Sequence, residues 1–247
     1  MKPMFSARFG IARGAALAAV AALVVPAGAN AAIVVGSSGP SAATYPVGRK
    51  LDDSGVVTLR AGDTLTILDG RGTRVLKGGG TFAVSVSSTV PAKTSTFAVL
   101  TMQRAAKRVR TGAVRAGKDA APPASPNLWF IDVEKSGKRC LVEGEPVRFW
   151  RLDTDRPATY AVAPAAGGTS VSLAFAKGAM VAPWDAASNP VADGANYAVT
   201  LDGKPVGTIE IALLPGQPAD AEAMAATLIE QGCTAQLDLL ATTLAQP

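Results

Sequence analysis

The fold of this chain depends on the stretch Cys140-Leu-Val-Glu-Gly-Glu-Pro-Val-Arg-Phe-Trp150, which carries one of the two cysteines beside two short apolar runs. The other cysteine, Cys233, lies in a segment of helical periodicity near the end of the chain. An even cysteine count favours a disulfide in an oxidising compartment, and two buried thiols are the alternative. We expect a Cys140–Cys233 bond that ties a β domain to a helical tail and contributes about 4–5 kcal/mol by closing a long loop.

Residues 1–31 have the pattern of a secretory signal peptide. The segment starts with basic residues, continues with an apolar run over 14–25 and ends in the small-residue cleavage site Ala29-Asn-Ala31. That run is shorter than the roughly 20 residues needed to cross a bilayer, so we expect cleavage rather than an uncleaved anchor. The expected location is the periplasm, with secretion as the alternative, and no transmembrane span remains after cleavage.

The charge of the mature chain gives little support to nucleic-acid binding. Three of the 24 Lys and Arg residues lie in the signal, which holds none of the 19 Asp and Glu residues. The mature chain therefore carries a net charge of about +2, without the strongly basic balance typical of nucleic-acid-binding domains. The remaining length of roughly 200 residues indicates one or two domains, and two small β domains fit the sequence best.

The first part of the mature chain, residues 32–93, is predicted to form a β domain. Apolar residues alternate with Thr or small residues in several short runs, and Asp69-Gly70 between two of them is a hairpin signal. The expected strands are 33–35, 56–59, 64–68, 73–76 and 81–86.

Within this domain, residues 60–84 read Arg60-Ala-Gly-Asp-Thr-Leu-Thr-Ile-Leu-Asp-Gly-Arg-Gly-Thr-Arg-Val-Leu-Lys-Gly-Gly-Gly-Thr-Phe-Ala-Val84. This segment resembles the periplasmic β domain of FecR-like proteins in its turn glycines and alternating apolar positions. The resemblance implies a small β module and a role in envelope sensing or signalling. Members of that family usually carry a cytoplasmic anti-sigma segment before a membrane helix, whereas the apolar run of this chain starts at residue 14. We therefore expect the domain fold without the anti-sigma role.

Residues 94–126 are predicted to be a basic helix followed by a linker. Helix-favouring residues cover about 94–109, and 120–126 is rich in proline, which favours an extended linker and a domain boundary. Between them lies a run of cations without an intervening acid, namely Arg104, Lys107, Arg108, Arg110, Arg115 and Lys118. This run is a candidate for binding an anionic envelope surface or an acidic protein, each cation contributing about 1 kcal/mol near a charged membrane. A soluble connector is the alternative.

The second β series, within residues 127–247, predicts an immunoglobulin-like sandwich. The expected strands are 128–133, 139–142, 147–150, 158–162, 170–175, 197–201 and 206–213. Asp202-Gly203 marks a hairpin between the last two, and the segment around Tyr197 resembles the tyrosine corner of immunoglobulin-like domains. Val199 occupies the position of the usual second cysteine of such domains, so the disulfide must join other parts of the fold.

The end of the chain changes to helical periodicity, with apolar residues at i, i+3, i+4 and i+7. Pro218 and Asp220 mark the start of a first helix, and Gly232 is placed to end it in a left-handed cap. The apolar stripe of a second helix runs through Leu237, Leu240, Ala241 and Leu244. The sequence therefore predicts a C-terminal helical hairpin in which Cys233 can face the sheet.

Several chemistries are excluded by composition. The chain has no histidine and two cysteines, which removes His-dependent catalysis, His-bearing zinc sites and a four-cysteine zinc site. The acidic pairs Glu143/Glu145 and Asp153/Asp155 favour solvated turns over a carboxylate pair or a calcium site. Residues 77–81, Lys-Gly-Gly-Gly-Thr, favour a β turn over a phosphate loop. We expect no catalytic residue, metal or cofactor.

The three tryptophans lie in two kinds of sequence surroundings, which predict different degrees of burial. Trp129 and Trp150 lie in apolar runs and are predicted to pack in the core, whereas Trp184 lies in a loop-like stretch and is the better candidate for an exposed aromatic.

These observations predict a mainly β protein with two small β domains and a C-terminal helical hairpin. The expected role is non-enzymatic binding, regulation or sensing in the cell envelope, with another envelope protein or an anionic surface as partner and no nucleic acid. A structural assembly subunit that uses exposed strand edges is the alternative, and a carboxylate-dependent glycan hydrolase is a third.

Overall fold

The computed structural model describes residues 32–85, 94–102 and 125–245. Within them the chain is mainly β, and its N-terminal unit contains a four-stranded antiparallel sheet of order β2-β1-β4-β5 beside the two-stranded pair β3-β6. The strands are β1 (Ala32–Ser38), β2 (Lys50–Leu51), β3 (Val56–Leu59), β4 (Thr64–Asp69), β5 (Gly72–Lys77) and β6 (Gly80–Ala83). Each of the five predicted strands has a counterpart. Strand β2 was not predicted, because two residues are too few to show an alternation.

The predicted hairpin at Asp69-Gly70 is present, with a turn that differs from the expected one. Strands β4 and β5 pair with Asp69 opposite Gly72. The Asp69 Oδ1 accepts a hydrogen bond from the Arg71 N–H at 2.8 Å, and the positive φ falls on Gly72, at 128°. In the second predicted hairpin, residues 202 and 203 both adopt positive φ, 51° and 74°, as a two-residue turn between twisted strands requires.

The C-terminal unit packs a five-stranded sheet of order β11-β10-β13-β14-β8 against a three-stranded sheet of order β12-β9-β7. The strands are β7 (Phe130–Asp132), β8 (Gly137–Val142), β9 (Arg148–Trp150), β10 (Ala158–Pro164), β11 (Val171–Phe175), β12 (Val181–Pro183), β13 (Asn196–Leu201) and β14 (Lys204–Leu214). All seven predicted runs contain strands. The sequence did not predict β12, since Val-Ala-Pro is short and ends in a residue that strands disfavour. Two pairings, β8 with β14 and β7 with β9, are parallel.

The core between these two sheets contains Trp184, which corrects the expectation that this side chain is exposed. Trp184 is 8% exposed, and its ring centroid lies 5.5 Å from that of Phe149 and 6.1 Å from that of Tyr197. Its Nε1 donates to the Asn189 carbonyl at 2.7 Å. The surrounding polar residues suggested a surface loop, but the ring points inward and its N–H finds a partner in that loop. Trp129 and Trp150 are buried as predicted.

Three helices complete the described structure: α1 (Thr94–Thr101), α2 (Ala221–Gln231) and α3 (Thr234–Thr243). The predicted helical hairpin is confirmed, because α2 and α3 are separated by Gly232 and Cys233 alone. Asp220 caps α2 by accepting the Ala223 N–H at 2.8 Å, and Gly232 ends it with φ of 73°, as expected for a left-handed cap. No helix among the described residues is long and apolar enough to cross a membrane.

The helices form a middle layer between the two β units. Strand β1 is buried on both faces: Ile33 belongs to the core that contains the helices, and Val34 to the core of the N-terminal unit. Strand β8 is likewise buried on both faces, because Cys140 belongs to the core that contains the helices and Leu141 to the core of the sandwich. The largest core is therefore shared between the N-terminal sheet, the helices and the five-stranded sheet, and not confined to either β unit.

The two chain segments that flank residues 103–124 meet at this layer. The Asn127 Nδ2 donates to the Met102 carbonyl and the Trp129 Nε1 to the Thr101 carbonyl, both at 3.0 Å. The structure describes the predicted helix 94–109 only as far as residue 102, and residues 94–101 are helical. The Phe97 side chain of this helix is buried in the shared core. The described residues on either side of positions 103–124 are therefore in direct contact. The domain ranges 32–93, 94–126 and 127–247 stay a prediction.

Candidate functional site

The predicted disulfide between Cys140 and Cys233 is present. Cys140 lies in β8 and Cys233 immediately precedes α3, with their Cα atoms 5.9 Å apart. Both residues are fully buried in the shared core, so the bond fixes the helical hairpin to the five-stranded sheet from inside.

A buried glutamine beside the disulfide was not predicted. Gln236 in α3 is 4% exposed. Its Oε1 accepts the Cys140 N–H at 2.7 Å, and its Nε2 donates to the Cys140 carbonyl at 2.8 Å and to the Leu128 carbonyl at 2.9 Å. The side chain thus pairs with strand β8 as a neighbouring strand would, and it covers that edge of the sheet. Helical periodicity gives no signal for such a residue, because it lies beside the apolar stripe.

The acidic pairs and the glycine-rich run lie in turns, as predicted. Glu143 and Glu145 are exposed on either side of Gly144, which has φ of 77°. The Asp153 carboxylate accepts the Asp155 N–H at 2.9 Å in an exposed turn. Residues 78–79 connect β5 to β6, and the Gly78 N–H donates to the Asp63 carbonyl. The part of the chain that the structure describes contains no cluster of three or more metal-ligating side chains.

The predicted anion-binding cations, Arg104 to Lys118, lie outside the described residues. The structure brings together only the two ends of their segment, at Met102 and Asn127.

An open groove of about 480 Å³ lies at one end of the sandwich, beside the start of β10. The Tyr160 hydroxyl donates to Glu134 Oε1 at 3.0 Å, and burial together with this carboxylate raises the pKa of Tyr160 to about 12. Beside it, the Arg151 guanidinium donates to the Ala176 and Ala179 carbonyls and lies 5.0 Å from the Phe175 ring centroid. These contacts tie together the turns at this end of the sandwich.

In the described part of the chain, the outer edge of β11 is not paired with another strand. Strand β11 is the first strand of the five-stranded sheet and pairs with β10 alone. Within the described residues, no hydrogen bond joins its backbone to any element other than β10. The strand, Val-Ser-Leu-Ala-Phe, has no charge, proline or glycine, which are the devices by which proteins commonly block strand edges. The described residues therefore leave this edge unpaired.

The outer face of the sheet next to this edge carries small, uncharged side chains. Leu173 and Phe175 of β11 point into the sandwich core, which leaves Ser172 and Ala174 exposed outside. Across the ladder, Ser172 faces Ala161 and Ala174 faces Thr159. The same face continues over β13 with Ala198 and Thr200. A flat surface of small residues lets another polypeptide approach the edge closely.

Two other strand edges are covered by the chain itself. Gln236 bonds to the edge of β8 at Cys140. At β5, the Thr73 N–H donates to the Leu244 carbonyl at 2.9 Å, and Thr73 forms a parallel bridge with Ala245. The edge of β11 has no such cover among the described residues, which makes it a candidate for an interaction site.

Comparisons with protein-family models, with curated proteins and with solved structures find no match to this chain.

Proposed function

We propose that this chain is an exported cell-envelope protein with a non-enzymatic binding or regulatory role. In this proposal, an extended segment of another envelope protein pairs with the outer edge of β11. The single observation that carries the proposal is that this edge is open and free of the charges, prolines and glycines that normally prevent pairing.

The chemistry of strand addition suits this surface. Main-chain hydrogen bonds to an edge strand supply affinity, and alternate side chains of the added strand supply specificity. Ser172 and Ala174 are the exposed side chains of β11, and their small size leaves room for the side chains of a partner. The buried Cys140–Cys233 disulfide suits an oxidising compartment, which supports export. The exposed turn positions of Glu143, Glu145, Asp153 and Asp155 support a role other than acid–base catalysis.

A photo-crosslinking amino acid placed at Ala174 in the mature protein, within its own envelope, tests the proposal. We expect an adduct at position 174 and much less adduct at Thr208, an exposed residue of β14, which is an interior strand of the same sheet. An adduct with a different protein supports a binding role, whereas an adduct of twice the chain's own mass supports the alternative of an assembly subunit. Equal yields at the two positions would show that the edge is not an interaction site.

A charge variant provides the matched control. Ser172→Lys adds a cation next to the edge and is expected to remove most of the crosslink at position 174. Thr200→Lys adds the same charge to the same face on β13, two strands from the edge, and is expected to leave the crosslink in place. Equal losses in both variants would point to the face, rather than the edge, as the contact.

A further inference from the structure

A second groove lies far along the sheet from β11, between α3 and strands β7 and β8. It has a volume of about 420 Å³. Its apolar walls include Leu128, Phe130 and Leu239, and its polar lining includes Arg139, Gln236 and Asp238. No sequence pattern predicts this groove, because its residues come from three separated segments.

The polar group of interest in this groove is the guanidinium of Arg139. Arg139 is 4% exposed. Its Nη1 donates to the Lys138 carbonyl and its Nη2 to the Lys135 carbonyl, each at 3.1 Å. A guanidinium has five N–H donors, so these two bonds leave donors over. Burial lowers the pKa of Arg139, opposed by the nearby Asp132.

Arg139 has no direct carboxylate partner among the described residues. The ion pairs found there do not include it, and Asp132 instead lies 3.3 Å from the Lys135 Nζ and accepts the Glu134 N–H. Charged side chains are rarely buried without a partner, because removing a charge from water is costly. Arg139 is therefore a buried cation that lines the groove and has N–H donors beyond the two that bond to backbone carbonyls.

We propose that this groove binds a small monocarboxylate, with Arg139 holding the carboxylate and the apolar walls holding a short hydrocarbon chain. Arginine presents parallel N–H groups that match a carboxylate. Asp132, Lys135 and Asp238 also line the groove. Together with Arg139 they give a lining with two cations and two anions, which favours a ligand with one negative charge over a ligand with two. Gln236 is fully engaged by Cys140 and Leu128, so it serves as a fixed wall. The proposal concerns a site separate from β11 and does not depend on it.

The test is an NMR titration of the mature, disulfide-bonded protein with butyrate and, separately, with inorganic phosphate. We expect saturable shifts of the backbone amides of Phe130, Gln236 and Leu239 with butyrate, and weaker binding of phosphate. Arg139→Lys keeps the charge and loses the paired N–H groups, so it is expected to weaken butyrate binding about tenfold.

Variants that leave Arg139 unchanged keep the test decisive if its replacement disturbs folding. Ala235 is exposed on α3 and lines the groove, so Ala235→Trp is expected to block butyrate. Thr234→Trp places the same ring on the adjacent exposed residue, outside the lining, and is expected to bind butyrate normally. Absence of saturable shifts, or unchanged binding in Ala235→Trp, would overturn the site, and phosphate binding as tight as butyrate would overturn the monocarboxylate assignment.

Discussion

Gln236 bonds to both backbone groups of Cys140, the residue whose side chain forms the disulfide. The distances are 2.7 Å from the Cys140 N–H to Oε1 and 2.8 Å from Nε2 to the Cys140 carbonyl. Because Cys233 lies at the N-terminal end of the same helix, β8 is held to α3 twice, once covalently and once by hydrogen bonds. Both connections are buried, since Cys140, Cys233 and Gln236 are all shielded from water.

Replacing Gln236 by alanine is expected to destabilise the protein by about 2–4 kcal/mol. The change leaves a buried N–H and two carbonyls without partners, and each buried group left unsatisfied costs about 1–3 kcal/mol, part of which water entering the space recovers. Urea unfolding monitored by circular dichroism measures the loss. Gln236→Glu is expected to be comparably harmful at neutral pH, because a carboxylate cannot donate to the two carbonyls.

Gln231→Ala is the matched control for that experiment. Gln231 ends α2 and is only partly buried, so its replacement is expected to change the free energy of unfolding by no more than about 0.5 kcal/mol. If Gln231→Ala and Gln236→Ala lower the free energy of unfolding equally, the hydrogen bonds of Gln236 to Cys140 and Leu128 contribute nothing beyond ordinary helix packing.

Cys140→Ser and Cys233→Ser are each expected to lower the free energy of unfolding by about 2–5 kcal/mol. Since both variants remove the same bond, the double variant should be little worse than either single variant. Hydrogen exchange should show the loss concentrated in α2 and α3. Two free thiols detected by intact mass in protein purified without reductant, or fully additive losses, would contradict the proposed role of the bond.

The sequence predicted the strands and helices well because their signals are local. Alternation marked β4 and β6, and the Asp220 and Gly232 caps marked the ends of α2. The shared core was not predicted, since Ile33 and Val35 reveal that β1 is buried but not which layer covers it. The open edge of β11 and the position of Arg139 depend on strand order and on contacts between distant segments, which no local pattern contains.

Trp184→Ala is expected to destabilise the protein by about 3–5 kcal/mol, as large aromatic deletions in cores do. The loss includes the packing on Phe149 and Tyr197 and the hydrogen bond to Asn189. Trp184→Phe keeps most of the volume and should cost clearly less. In the unaltered protein, acrylamide should quench tryptophan fluorescence weakly, because all three tryptophans are buried. Strong quenching that disappears in Trp184→Phe would place this ring at the surface after all.

Tyr160 is expected to ionise near pH 12 in the folded protein. Burial of the hydroxyl, then its bond to Glu134, raises the pKa from 10.0 to about 12. The unfolded chain ionises this tyrosine near pH 10, whereas the folded chain keeps it neutral up to about pH 12. The contribution of Tyr160 to stability is therefore fully present below about pH 10 and is lost between about pH 10 and 12. Tyrosinate absorbance during alkaline titration measures this. Burial also raises the pKa of Tyr197, so Tyr160→Phe should remove the absorbance of one tyrosine near pH 12 rather than the whole high-pH change. Glu134→Gln should move the Tyr160 step toward pH 10, whereas a Tyr160 step near pH 10 in the unaltered folded protein would show that the hydroxyl is neither buried nor held by Glu134.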